Sequence, residues 1–126
     1  MTLEQQVCSL ELAKRLKELG VKQESLFHWD PIWGVSDVEE WQLLKRVDIP
    51  SLYAKTPDEN YSAFTVAEFG EMLPMMEENW QNARYKDGKW FITNYVNTIP
   101  AAEADTEADA RATMLVYLLE NKLSTL

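Results

Sequence analysis

The chain has 126 residues, 46% of them apolar and 26% charged. That balance fits one domain spanning residues 1–126 and excludes a chain kept unfolded by its polarity, because enough apolar side chain is present to offset the entropy of ordering. Twelve basic against 21 acidic residues leave a net charge of −9, a field that repels duplex nucleic acid and anionic membranes unless a local basic patch overrides it.

The first helix is expected over Ser9–Gly20. Ser9 can cap its first turn, Glu11 suits the positive end of the dipole, and Glu11 with Arg15 makes an i,i+4 pair in the favourable order. Cys8, Leu12, Leu16 and Leu19 recur at helical spacing, and Gly20 supplies the left-handed residue that ends the helix. Ser25–Trp29 is short, aromatic and stopped by Asp30-Pro31, so it reads as a strand. Residues 30–39 read as a loop around Pro31, Gly34 and Ser36. Trp41–Val47 reads as a strand pairing back on the first or as a helical turn, and Pro50 and Pro57 frame a further loop around Thr56–Asn60.

Thr65-Val66-Ala67-Glu68 is a capping box that opens a short helix containing Phe69, Met72 and Leu73, with Pro74 limiting it. Asp87-Gly88 accepts the positive φ of a two-residue turn, which sets Tyr85 opposite Trp90 and Ala83 opposite Ile92 on one hairpin face. Arg84, Phe91, Thr93 and Tyr95 fall on the other face. Asn97–Asp105 reads as a connector, after which Asp105 or Thr106 caps a final helix with Ala108, Ala112, Leu115, Leu119 and Leu123 on its inner stripe. The expected fold is α+β: a small antiparallel sheet of about four strands packed against N- and C-terminal helices, with a short helix between two strand pairs. Thr65-x-Ala-Glu and Thr106-x-Ala-Asp each follow a strand pair and open a helix, which marks either two ββα units or two separately capped helices.

Three blocks carry a resemblance: Val7–Ser25, Ser62–Pro74, and Thr106–Ala112 with Leu118–Asn121. Together they resemble a family of small phage- and prophage-encoded proteins of unassigned activity. The resemblance implies a genomic setting and transfers no functional residue. Residues 30–60, around Trp33 and Trp41, lie outside it.

No catalytic constellation stands out. The single histidine, His28, alternates with Phe27 and Trp29, as a sheet-face residue would. Cys8 falls on the apolar stripe, where a buried, inert thiol is expected rather than a nucleophile paired with His28. One histidine and one cysteine are too few for a zinc site, the carboxylates lack calcium-loop spacing, and no glycine-rich phosphate loop exists. No cofactor or metal is therefore expected, and the chain is not expected to be an enzyme.

A lone cysteine, an N-terminus that runs at once into Glu4-Gln5-Gln6, and the lack of a bilayer-spanning apolar run of ~20 residues suggest a reducing, cytoplasmic setting. Helix-turn-helix DNA binding would use Ala13–Val21 as first helix and turn, with Lys22–Trp29 as recognition helix. Leu26, Phe27 and Trp29 crowd that second helix, and the charge has the wrong sign. An acidic surface that mimics nucleic acid is a further alternative. Five tryptophans suit a core or an interface; Trp33, between Pro31 and Gly34, and Trp41 are the candidate contacts for a partner. The expected partner is a protein, a second copy of the chain included; nucleic acid is disfavoured and no membrane is implied.

Overall fold

A computed structural model describes residues 2–31, 41–45, 60–72, 81–94 and 99–122. In chain order the elements are α1 (Leu3–Gln6), α2 (Leu10–Glu18), β1 (Phe27–Pro31), β2 (Trp41–Lys45), β3 (Tyr61–Ser62), α3 (Val66–Met72), β4 (Gln81–Lys86), β5 (Lys89–Asn94), β6 (Ala102–Ala104) and α4 (Glu107–Glu120). The fold is α+β, with helices at both ends of the described chain. No described helix is long and apolar enough to cross a membrane.

Helix α2 ends as its sequence dictates. Gly20 takes φ +90, its N–H donates to the Lys17 carbonyl at 3.0 Å, and the Val21 N–H donates to the Leu16 carbonyl at 3.1 Å. This is a Schellman closure; both Val21 and Leu16 belong to the buried core, which adds the apolar contact that usually accompanies it. The start of α2 differs from expectation. Ser9 occupies the N-cap position but makes no side-chain cap bond. Its backbone N–H instead donates to Asp109 Oδ1 of α4 at 2.6 Å. Arg15 bonds Glu18 at 3.1 Å and Glu120 of α4 at 2.9 Å rather than pairing with Glu11, so tertiary packing redirects it.

The expected single sheet of about four strands is instead two three-stranded antiparallel sheets among the described residues, ordered β2-β1-β3 and β4-β5-β6. The difference lies in β3 and β6. They are two and three residues long, too short for alternation to register in sequence, and β6 falls in a stretch expected to be a connector. Trp41–Lys45 resolves as a strand, pairing Trp29 with Leu43 and Pro31 with Trp41. The hairpin register is as expected, Tyr85 opposite Trp90 and Ala83 opposite Ile92, with Asp87 and Gly88 at φ 52 and 80. Both sheets precede a helix, yet β1 is central in the first and β5 in the second, so the two units do not share a topology. Residues 32–40, 46–59, 73–80 and 95–98, which include the expected loops around Trp33, Pro50 and Pro57 as well as Leu73, Pro74 and Tyr95, lie outside the described residues.

The core joins all these layers. Leu16, Phe64, Phe69, Ile92, Met114 and Leu115 are buried in one cluster, to which α2, α3, β5 and α4 each contribute. Helix α4 is buried on more than the expected stripe. Ala110, Met114 and Leu118 join Ala108, Ala112 and Leu115, while Leu119 is half-buried and Leu123 lies outside the described residues. It packs on β5 and β6 and also meets α1, α2 and α3, so a one-sided amphipathic pattern would leave a contact face polar. Burying six such side chains makes α4 the central element of the packing.

Candidate functional site

Two helix starts and a hairpin frame one cleft. At the first start, Thr65 Oγ1 accepts from the Glu68 N–H at 3.2 Å and Glu68 Oε1 accepts from the Thr65 N–H at 2.9 Å, completing the expected capping box. At the second, Thr106 Oγ1 accepts from the Asp109 N–H at 3.1 Å. The carboxylate of Asp109 is turned away to Ser9, so this box stays half-formed. Burial pushes the Asp109 carboxyl up from its ordinary value, although the Ser9 hydrogen bond pulls the other way.

The cleft has a volume of about 660 Å³ and opens between these starts. That volume lies within the range of small-ligand and side-chain pockets. Thr65–Ala67 and Thr106 supply the helix ends, and Gln5 and Gln6 of α1 supply amides. Tyr85 and Trp90 form an aromatic wall, tilted at 53° with ring centroids 5.4 Å apart. Ala104 stands opposite Trp90 across β5 and β6, and a small residue there leaves room for the indole. Tyr85 is 63% exposed, the largest exposure among the big apolar and aromatic side chains described.

The charged residues lining the cleft, among the described residues, are both acids: Asp105 and Glu107. Each already meets a cation of its own chain. Lys89 Nζ donates to Asp105 Oδ1, and the Lys89 ammonium is held above its ordinary pKa by that bond, then by the charges of Asp105 and Glu103. Arg111 Nε lies 3.7 Å from Glu107 Oε2. The Lys89–Asp105 pair is exposed, at 45% and 79% for the two side chains, so it is a weak, exchangeable link.

Of the residues singled out from sequence, Trp41, Cys8 and His28 fall outside this cleft lining. Trp41 is half-buried against Tyr61, centroids 5.7 Å apart, with Lys14 Nζ 4.9 Å above its ring. Lys17 Nζ lies 5.1 Å from the Tyr61 ring and donates to the Asn60 carbonyl at 3.1 Å. Trp41 thus helps pin α2 to the first sheet. Trp33 lies outside the described residues. Cys8 and His28 are not brought into one site. The Cys8 carbonyl accepts from Trp29 Nε1 at 3.0 Å, and strand alternation turns His28 to the face opposite Trp29. Burial pushes the Cys8 thiol up to about 12, which makes it inert near neutral pH. The stretch proposed as a recognition helix holds no helix: Val21–Ser25 is irregular and Phe27–Pro31 is β1. Among the described residues, no three His, Cys, Asp or Glu side chains group as a metal site.

The Tyr85–Trp90 pairing is readable from the Asp87-Gly88 turn, but the site it helps form is not. Gln5, Thr65 and Asp105 come from segments far apart in sequence and meet only through the packing around α4. No family model matches this chain, and no curated protein or solved structure matches it.

Proposed function

We propose that this protein acts by contact with another protein rather than by catalysis, as an accessory protein of phage or prophage type, and that the Tyr85–Trp90 cleft is the contact surface. The carrying observation is the pairing of an exposed Tyr85 with a half-buried Trp90 at the wall of a 660 Å³ cleft. Tyr and Trp present large, rigid area at little entropic cost, which is why they concentrate at the energetic centres of interfaces. The lining favours binding over chemistry: among the described residues its ionisable groups are Tyr85, Asp105 and Glu107, and each acid is already engaged with a cation. The chain's one histidine sits in β1, away from the cleft lining. The phage setting rests on the sequence resemblance of Val7–Ser25 and the two later blocks.

Replacing Tyr85 with a photo-crosslinking phenylalanine tests the reading in cells that carry the native gene neighbourhood. A discrete crosslinked protein is expected from position 85 and not from the exposed Asn121, at the opposite end of α4 from the Thr106 that lines the cleft. Equal labelling at both positions, or none at 85, would sink the proposal.

A further inference from the structure

We infer that the cleft takes a lysine- or arginine-bearing peptide segment of its partner, and that Lys89 is the intramolecular stand-in this segment displaces from Asp105. The inference rests on the cleft being the contact surface proposed above. Three observations converge on a cation. The cleft's wall is built of Tyr85 and Trp90, aromatic rings of the kind whose negative quadrupole attracts ammonium and guanidinium groups. Its charged lining is acidic, Asp105 and Glu107, with Glu103 acting on the same lysine nearby. The position beside Asp105 is already filled by an ammonium from the chain itself, which shows what chemistry that carboxylate accepts.

Exchange is feasible because of where Lys89 stands. It sits next to the hairpin turn with its side chain 45% exposed, and the carboxylate it meets is 79% exposed. Water can solvate the ammonium as it leaves, so little is lost on separation. The Glu107–Arg111 pair is different. Its side chains are 23% and 18% exposed, so it is expected to stay closed and to fix the N-terminal turn of α4. An anionic partner is disfavoured at the same place, since Asp105, Glu107 and Asp109 crowd the α4 start and Thr106 already caps it.

The test titrates the full chain with three blocked peptides of equal length, rich in arginine, glutamine or glutamate, and follows the Trp90 indole and Asp105 amide signals by NMR. The arginine peptide is expected to bind and to weaken with added salt. Asp105→Asn should weaken it by about twofold to fivefold, the usual worth of one exposed charge contact. Lys89→Gln, which frees Asp105, should tighten it by about twofold to fivefold. Both positions are exposed, so neither variant should disturb folding, and far-UV circular dichroism checks this. Equal binding of the glutamine peptide, or weaker binding in Lys89→Gln, would overturn the inference. If the Tyr85 crosslink persists while the arginine peptide fails to bind, the cation is wrong and the contact surface stands. If both fail, both readings fall.

Discussion

The two helix starts at Thr65 and Thr106 carry nearly the same words, Thr-Val-Ala-Glu and Thr-Glu-Ala-Asp, and build different joints. Glu68 reaches back to the Thr65 N–H, and its two oxygens also accept from Ser25 Oγ at 2.8 Å and the Leu26 N–H at 3.2 Å. Asp109 is one methylene shorter and serves the Ser9 N–H of another helix instead. A capping box thus specifies that a helix begins, but side-chain length and tertiary neighbours decide what the acid holds. Both acids end by gripping opposite ends of one segment: Asp109 takes the entry to α2, and Glu68 takes the connector that leads from α2 into β1.

Removing the acids one at a time is the strongest way to break this comparison. Glu68→Ala strips the acceptor from two backbone donors, the part-buried Thr65 N–H and the exposed Leu26 N–H, and leaves the Ser25 hydroxyl only the Ala63 carbonyl, and should cost about 2–4 kcal/mol by urea denaturation. Glu68→Asp shortens the reach without removing the charge and should cost about 1–2 kcal/mol. Asp109→Ala loses one acceptor and should cost about 1–2 kcal/mol. If Asp109→Ala proved more damaging than Glu68→Ala, the ranking of the two joints would be reversed.

Titration sharpens the same contrast. The native Asp109 carboxyl has its pKa raised, so the fold favours its protonated form. Stability attributable to this group therefore rises as pH falls from neutral through its native pKa towards the ordinary 3.8, and is flat below that. Asp109→Asn keeps an acceptor for Ser9 and carries no charge, and should lie within about 0.5 kcal/mol of the parent at pH 7. As the pH is lowered from neutral towards the ordinary 3.8, the parent should then gain stability relative to this variant. A parent that loses ground over that window would mean that the hydrogen bond, and not burial, governs the group.

The legible parts of the fold are those fixed by local chemistry. Asp87-Gly88 sets a register because its turn admits few backbones, and Gly20 ends α2 because few residues adopt φ near +90. The illegible parts depend on neighbours distant in sequence. Strands β3 and β6 exist because β1 and β5 offer them an edge; Ala102–Ala104 alone has no strand-forming pattern. Trp41 reads as a candidate partner contact, and its own neighbours Lys14 and Tyr61 meet it only after β1 has brought β2 and β3 to either side of itself. The cleft follows the same rule: its Tyr85–Trp90 wall is local, whereas its acidic rim and its amides arrive through α4 and α1.

Cys8 allows the smallest and most direct comparison of the two acids, because it lies within the field of both. Its thiol is raised from an ordinary 9.0 to about 12, first by burial, then more weakly by the charge of Asp109 and least by that of Glu68. Backbone hydrogen bonding at Phe64 and at Cys8 itself opposes these only in part. The S–H stretch in Raman spectra should therefore persist through about pH 10 in the native chain. Asp109→Asn should lower the titration midpoint slightly, and Glu68→Gln should lower it less, because each variant removes a charge and leaves burial intact. A larger shift in Glu68→Gln would place the thiol nearer the closed capping box than the open one. Ionisation near the ordinary 9.0 in the native protein would show that water reaches the point where α2, β1 and α4 meet, and the picture of two acids clasping a dry segment would have to be given up.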